Sequence, residues 1–276
     1  MTTSGAVNDA GTGLDADGYI AREGSLARVP DAFRPVVAAA RDRVLALFGA
    51  RLDSAYLYGS VPRGTARAGR SDLDLLIVLR EEPTEADRAA VDALEAALDA
   101  EFGQVDGVGA LLLGRARVLS APETYDLGWF VACLCTPLLG DDLAEFLPRY
   151  RPDALLARET NGDLALLLPR WRERIAAAGD DEDALRRLCR AVSRHLVRTA
   201  FTLVMPRWGG WTGELDRMAE VFGRYYPEWG ERIRAAAAVA YAPVADRGVL
   251  ASYTEETGPW LAEEYARVHG VKAPRP

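Results

Sequence analysis

Two aspartates one residue apart, Asp72 and Asp74, open an otherwise apolar run formed by Leu73, Leu75, Leu76, Ile77, Val78 and Leu79. A Gly59-Ser60 pair precedes them, with residues 61–71 between. Side chains on a strand alternate faces, so the two carboxylates point the same way, about 6.6 Å apart along the backbone, and Leu73, Leu75 and Ile77 point the other way. Carboxylates at that spacing suit one hard cation or a shared pair. They repel a polyphosphate directly and bind it only through such a cation. A Gly-Ser turn lets backbone N–H groups and a hydroxyl approach phosphate oxygens closely. Arg63, Arg67 and Arg70 lie in the intervening segment, which contains no acid, and add cationic contacts.

The flanking elements that must position these groups are readable from periodicity. Ala55 to Tyr58 and Asp72 to Leu79 read as strands. Residues 31–49 carry Phe33, Val36, Val37, Ala40, Val44, Leu45 and Phe48 at helical spacing, with Asp31 as N-cap and Gly49 as stop. Glu81-Glu82-Pro83-Thr84 makes a turn, and Thr84 caps a helix over 85–102 that ends at Gly103. Val105 to Leu113 reads as a third strand and Ala116 to Leu119 as a fourth. That order predicts an α/β layer.

The ordered set Tyr58, Gly59, Ser60, Asp72, Leu73, Asp74 and Leu75 resembles the signature of the nucleotidyltransferase superfamily typified by DNA polymerase β. The resemblance is specific over about residues 53–79. It implies an α/β (α+β) nucleotidyltransferase domain with a small mixed sheet, followed by an α-helical C-terminal domain. It also implies transfer of NMP, with ATP as the inherited co-substrate, to an acceptor hydroxyl with release of pyrophosphate. By that resemblance Asp72 and Asp74 are the Mg²⁺ ligands, and Gly59, Ser60, Arg63 and Arg70 hold the nucleotide. The superfamily often places a third carboxylate on the strand after the second helix. Asp106 is the candidate there, as metal ligand or base, against its alternative as a turn cap before Gly107. The segment through Thr136-Pro137-Leu138-Leu139-Gly140 looks like the end of the catalytic domain in antibiotic adenylyltransferases. Asp141 and Asp142 after it read as helix caps.

Arg149-Tyr150-Arg151-Pro152 marks a boundary. The domain reading is a tail over 1–24, a catalytic domain over 25–150, a helical domain over 151–270 and a second tail over 271–276. Residues 153–178 form one long helix or two joined at Gly162, with a kink or restart at Pro169. Residues 181–205 are amphipathic, with an apolar stripe from Leu185 to Leu203. Arg187, Arg190, Arg194 and Arg198 run beside the stripe. They form either a solvated face or, for Arg194 and Arg198, a cationic grip on the triphosphate tail. Trp208 and Trp211 close a small core or stack on a ring.

Net charge is −8, which disfavours an extended nucleic-acid surface. Lys272 is the sole lysine, so no GK[ST] phosphate loop exists. Cys133, Cys135 and Cys189 lie in apolar contexts and read as buried thiols. His195 and His269 lack ligand spacing. No apolar run reaches membrane-spanning length and no secretory pattern opens the chain, so a cytoplasmic protein is expected. The expected partners are a nucleoside triphosphate and a small-molecule acceptor. A protein or tRNA acceptor, or a silent nucleotide-binding protein, are the competing readings.

Overall fold

The computed structural model describes residues 11–272. It divides into two compact units, one formed by Ala21–Tyr150 and one by Arg151–Pro276 together with Met1–Ile20.

In the first unit, chain order is α1 (Arg34–Phe48), β1 (Leu52–Tyr58), α2 (Ser60–Arg63), β2 (Leu73–Leu79), α3 (Glu85–Glu101), β3 (Val108–Gly114), α4 (Arg115–Val118) and β4 (Thr136–Gly140). The sheet order is β3-β2-β1-β4. β1 runs antiparallel to β2 and β4, and β2 runs parallel to β3, so the sheet is mixed. The parallel pair follows from the α3 crossover, since two parallel neighbours need a long connection.

The two faces of β2 go to two cores. Leu73, Leu75, Ile77 and Leu79 pack with Val36, Ala40 and Val44 of α1 and Val91, Leu94 and Leu98 of α3. Leu76 and Val78 face the other way, with Tyr56, Val118, Val131, Cys135 and Leu143. Every residue of β2 except Asp74 is buried. Each fully buried aliphatic side chain contributes roughly 1.5–3 kcal/mol. A one-residue register slip would turn both sets around, so β2 is pinned tightly and Asp74 with it.

α3 starts on a reciprocal capping box. Thr84 Oγ1 accepts from the Asp87 N–H at 3.2 Å, and the Asp87 carboxylate accepts from the Thr84 N–H at 2.8 Å. Arg51 donates to the same carboxylate at 2.6 Å and, with the Thr84 bonds, holds Asp87 well below the usual carboxylate range. Arg22 ties the segments on either side of β4: it donates to both oxygens of Asp142 at 2.7 and 3.1 Å and to the Ala132 carbonyl at 3.1 Å. Asp142 also accepts from the Ala144 N–H, so it acts as the cap expected of it.

Three expectations change. Ala116–Leu119 is not a strand: Arg115–Val118 is a single helical turn, and the fourth strand is Thr136–Gly140. That strand hides behind Pro137 and Gly140, which are tolerated because β4 is an edge strand with β1 as its one sheet neighbour. The third strand begins at Val108 rather than Val105. Asp31 opens a short 3₁₀ turn and makes no side-chain cap; its carboxylate pairs with Arg34.

In the second unit the helices are α5 (Ala154–Asn161), α6 (Leu164–Ala178), α7 (Glu182–Trp208), α8 (Leu215–Tyr225), α9 (Pro227–Tyr241), α10 (Arg247–Ser252) and α11 (Gly258–His269). Of the alternatives for 153–178, two helices form, and Pro169 lies inside α6. α7 buries its stripe from Leu185 to Met205. Trp211 is buried and Trp208 partly buried, each with its ring edge-on to Phe201, so this pair closes a core. Described residues assigned to the tails are tied down instead. Leu14 bridges Ile20, the Trp211 N–H donates to the Thr12 carbonyl, and the Lys272 N–H donates to the Gly162 carbonyl. The remainder of the predicted tails, residues 1–10 and 273–276, lies outside the described residues. Among the described residues no helix is long and apolar enough to cross a membrane.

Candidate active site

The open end of the sheet is built by the ends of β1, β2 and β3. The β1–β2 register sets Tyr58 opposite Asp74. Gly59, the next residue, has φ +77° and ψ −149°, a conformation that is essentially glycine's alone. The reason is on the neighbouring strand: a Cβ at Gly59 would lie 2.2 Å from Asp74 Oδ2. The turn after β1 and the carboxylate of β2 are therefore in direct contact, and the glycine makes room for the acid.

Ser60 follows as the first residue of α2, a single turn closed by Gly64 in the left-handed region. The segment between Gly59-Ser60 and Asp72 thus begins as helix. Arg63 is partly buried and its Nη1 lies 3.4 Å from Glu23 Oε2. Arg67 and Arg70 are exposed. Their turn is fastened at several points: the Arg67 N–H donates to Ser71 Oγ at 2.9 Å, the Ser71 N–H to the Arg67 carbonyl at 3.0 Å, and the Gly69 N–H to the Gln104 carbonyl at 2.8 Å.

Across the parallel pair, Asp74 is opposite Gly109. A Cβ at Gly107 would lie 3.8 Å from Asp72 Oδ1, and a Cβ at Gly109 would meet nothing within 4 Å. Gly107, just before β3, and Gly109 within it are thus the positions beside the two aspartates. Asp106 sits before β3, exposed, with its N–H donating to the Ser71 carbonyl at 3.1 Å. Among the described residues no group of three or more His, Cys, Asp or Glu side chains has metal-holding geometry. The structure seats Asp74 against the Gly59 turn and Asp72 beside Gly107, and Asp106 lies in the bend directly before Gly107.

Two aspartates offer hard carboxylate oxygens, which suit Mg²⁺ rather than a soft metal. The tight seat of Asp74 against Gly59 fixes one of the donors, so the residues present fit such an ion. Arg194 and Arg198 belong to α7 of the second unit, Arg194 partly buried and Arg198 exposed. Tyr58 was absent from the sequence-based site. It stands beside Asp74 with its ring edge-on to Phe130 at 5.0 Å, partly exposed. The signal for it was its place immediately before Gly59.

Residues 37–108, from α1 to the first residue of β3, match the family model described as a nucleotidyltransferase domain. Among solved structures, the chain is similar to the spectinomycin adenyltransferase AAD(9) from Enterococcus faecialis, crystallised with ATP and spectinomycin. Sequence identity is 15%, the TM-score is 0.50, and the alignment covers 83% of this chain and 98% of that one. At that identity the likeness is one of fold. No curated protein sequence matches the chain.

Proposed function

From the premise that this chain carries a nucleotidyltransferase domain and is an enzyme of that class, we propose that it transfers NMP, with AMP from ATP the first choice, to a small-molecule acceptor oxygen and releases pyrophosphate. The observation that carries the reading is the contact of Asp74 with the Gly59 turn, because it unites the two halves of the sequence pattern at one point.

In this reading Asp72 and Asp74 hold Mg²⁺. When bound, the ion would neutralise phosphate charge and favour the ionised form of the attacking oxygen. Gly59 and Ser60 supply backbone and hydroxyl contacts to phosphate oxygens. Arg63 and Arg70 add charge-assisted bonds to the same groups, planar and permanently cationic. The buried strands around Asp74 keep this constellation rigid, which lowers the reorganisation needed at the transition state. ATP, its companion small molecule, and the AAD(9) fold support a small acceptor by analogy of architecture.

The test is isothermal calorimetry of ATP with and without Mg²⁺, paired with transfer of label from α-labelled ATP. Asp74→Asn and Asp72→Asn should each abolish Mg²⁺-dependent binding and transfer while leaving the thermal unfolding midpoint nearly unchanged. A double variant with full transfer activity would sink the assignment.

A further inference from the structure

A strand at a sheet edge offers one side of its backbone to any other extended chain, and proteins blunt such edges with charges, prolines or bulges. β4, one edge, has Pro137 and a break in its register with β1. β3, the other edge, has neither. Val108–Gly114 carries no proline and no charge, and it pairs with β2 along its whole length without a shift. The Leu73 N–H donates to the Gly107 carbonyl, so odd-numbered residues turn their backbone groups to β2, and Val108, Ala110 and Leu112 turn theirs outwards. The Ala110 N–H is taken by Glu95 Oε1 of α3 at 2.6 Å. Burial raises the Glu95 carboxyl, the Ala110 bond opposes the rise, and Asp92 and Asp99 add to it. These three acids stand at i, i+3 and i+7, one row of α3 beside the edge. Arg88, a turn before Asp92, has its Nε 4.0 Å from Glu85. At the far end of β3 a Cβ on Gly114 would run into the Glu82 carboxylate. On the face of β3 away from α3, Leu111 is exposed.

We propose that the outer edge of β3 receives an extended segment of a partner protein, basic at alternate positions, as an added strand of the sheet. The incoming backbone bonds to Val108, Ala110 and Leu112. Successive residues of a strand point to opposite faces, so its Arg or Lys side chains meet the acid row while its apolar ones cover Leu111. Glu95 sets the selectivity, because an incoming carbonyl must take the Ala110 N–H from it. A neutral strand leaves the displaced, partly buried carboxylate without that bond, whereas a basic strand pairs it again. A second copy of this chain fits worse. Edges paired about a two-fold axis continue the same face of the sheet, so the two acid rows would meet.

The probes are dye-labelled heptapeptides, read by fluorescence anisotropy on the full chain. One alternates lysine and valine, a second has glutamate for lysine, and a third is the lysine peptide N-methylated throughout. The lysine peptide should bind saturably and more weakly as salt is added. The other two should bind at least tenfold more weakly. Ala110→Pro removes the outward donor at a position where an edge strand tolerates proline, and keeps every acid. It should also weaken the lysine peptide at least tenfold; the N-methylated peptide makes the same test on the unmodified chain if that variant does not fold. Glu95→Ala should admit an alternating threonine–valine peptide that the unmodified chain rejects. Equal binding of the plain and N-methylated lysine peptides would overturn strand addition and leave surface charge alone. Absence of saturable binding would overturn the proposal as well. Self-association of the unmodified chain in sedimentation that shuts the peptides out would overturn it too, and would give the edge to a second copy.

Discussion

Replacing Gly59 by alanine perturbs the site at the point where its two halves touch. Two costs are separable. At φ +77° and ψ −149° an L-residue is strained by roughly 1–3 kcal/mol. In addition the new Cβ would stand 2.2 Å from Asp74 Oδ2, so the carboxylate has to turn away. Gly49 supplies the control. Its φ is +49°, and a Cβ there meets nothing within 4 Å, so Gly49→Ala carries backbone strain alone. Urea unfolding should therefore show both variants destabilised by about 1–3 kcal/mol. Mg²⁺-dependent ATP binding should separate them: unchanged in Gly49→Ala and weakened at least tenfold, about 1.4 kcal/mol, in Gly59→Ala. Gly109→Ala, with open space and no unusual φ, should leave both quantities near those of the unmodified chain. If Gly59→Ala bound ATP as well as Gly49→Ala, the claim that Asp74's seat controls the nucleotide site would fail.

The three cysteines are buried, and burial raises each thiol, Cys133 to about 12. A thiol reagent at pH 8 should leave all three unmodified in folded protein and react with them on unfolding; rapid labelling of native protein would contradict the buried environment. His195 is pushed down to about 4, chiefly by burial, with Arg198 and Lys272 adding to that and Asp163 opposing it. Its Nε2 finds no hydrogen-bond partner among the described residues, and Trp171 meets its ring edge-on. The unfolded chain takes up this proton near pH 6.5 while the folded chain does not. Stability present above pH 6.5 should thus fall towards pH 4, by at most about 1.4 kcal/mol per pH unit. His195→Gln should flatten denaturation midpoints between pH 6.5 and 5, and an unchanged slope would refute the assignment. Asp87→Ala removes the capping box of α3 and the Arg51 ion pair, and should cost about 1–2 kcal/mol in urea unfolding; a smaller loss would mean that Arg51 and Thr84 find other partners.

How far the sequence carried the reading follows from the range of the interactions. Asp72 and Asp74 were legible because strand alternation is local and Leu73, Leu75 and Ile77 declare the opposite face. The helices α1, α3 and α7 were legible because their apolar stripes are long. Thr84 was legible as a cap because its partner lies three residues on. Asp106 was legible only as a candidate, because it falls in the bend before β3, where strand alternation gives no direction. β4 was overlooked because proline and glycine are poor strand formers and its pairing with β1 is distant in sequence. The described parts of the supposed tails escaped notice for the same reason: Trp211 lies far along the chain from Thr12, and Lys272 far from Gly162.

The division of the chain has a consequence for synthesis. The unit formed by Ala21–Tyr150 is contiguous, whereas the other is assembled from pieces on either side of it. A ribosome therefore releases everything the sheet unit needs while most of the helical unit is still unmade. The segment ending at Ile20 must wait for residues translated much later, Trp211 among them. Gene fragments reflect the same asymmetry. Residues 21–150 can be expressed as a single piece. A helical unit free of the sheet needs a new peptide joint between residue 20 and residue 151.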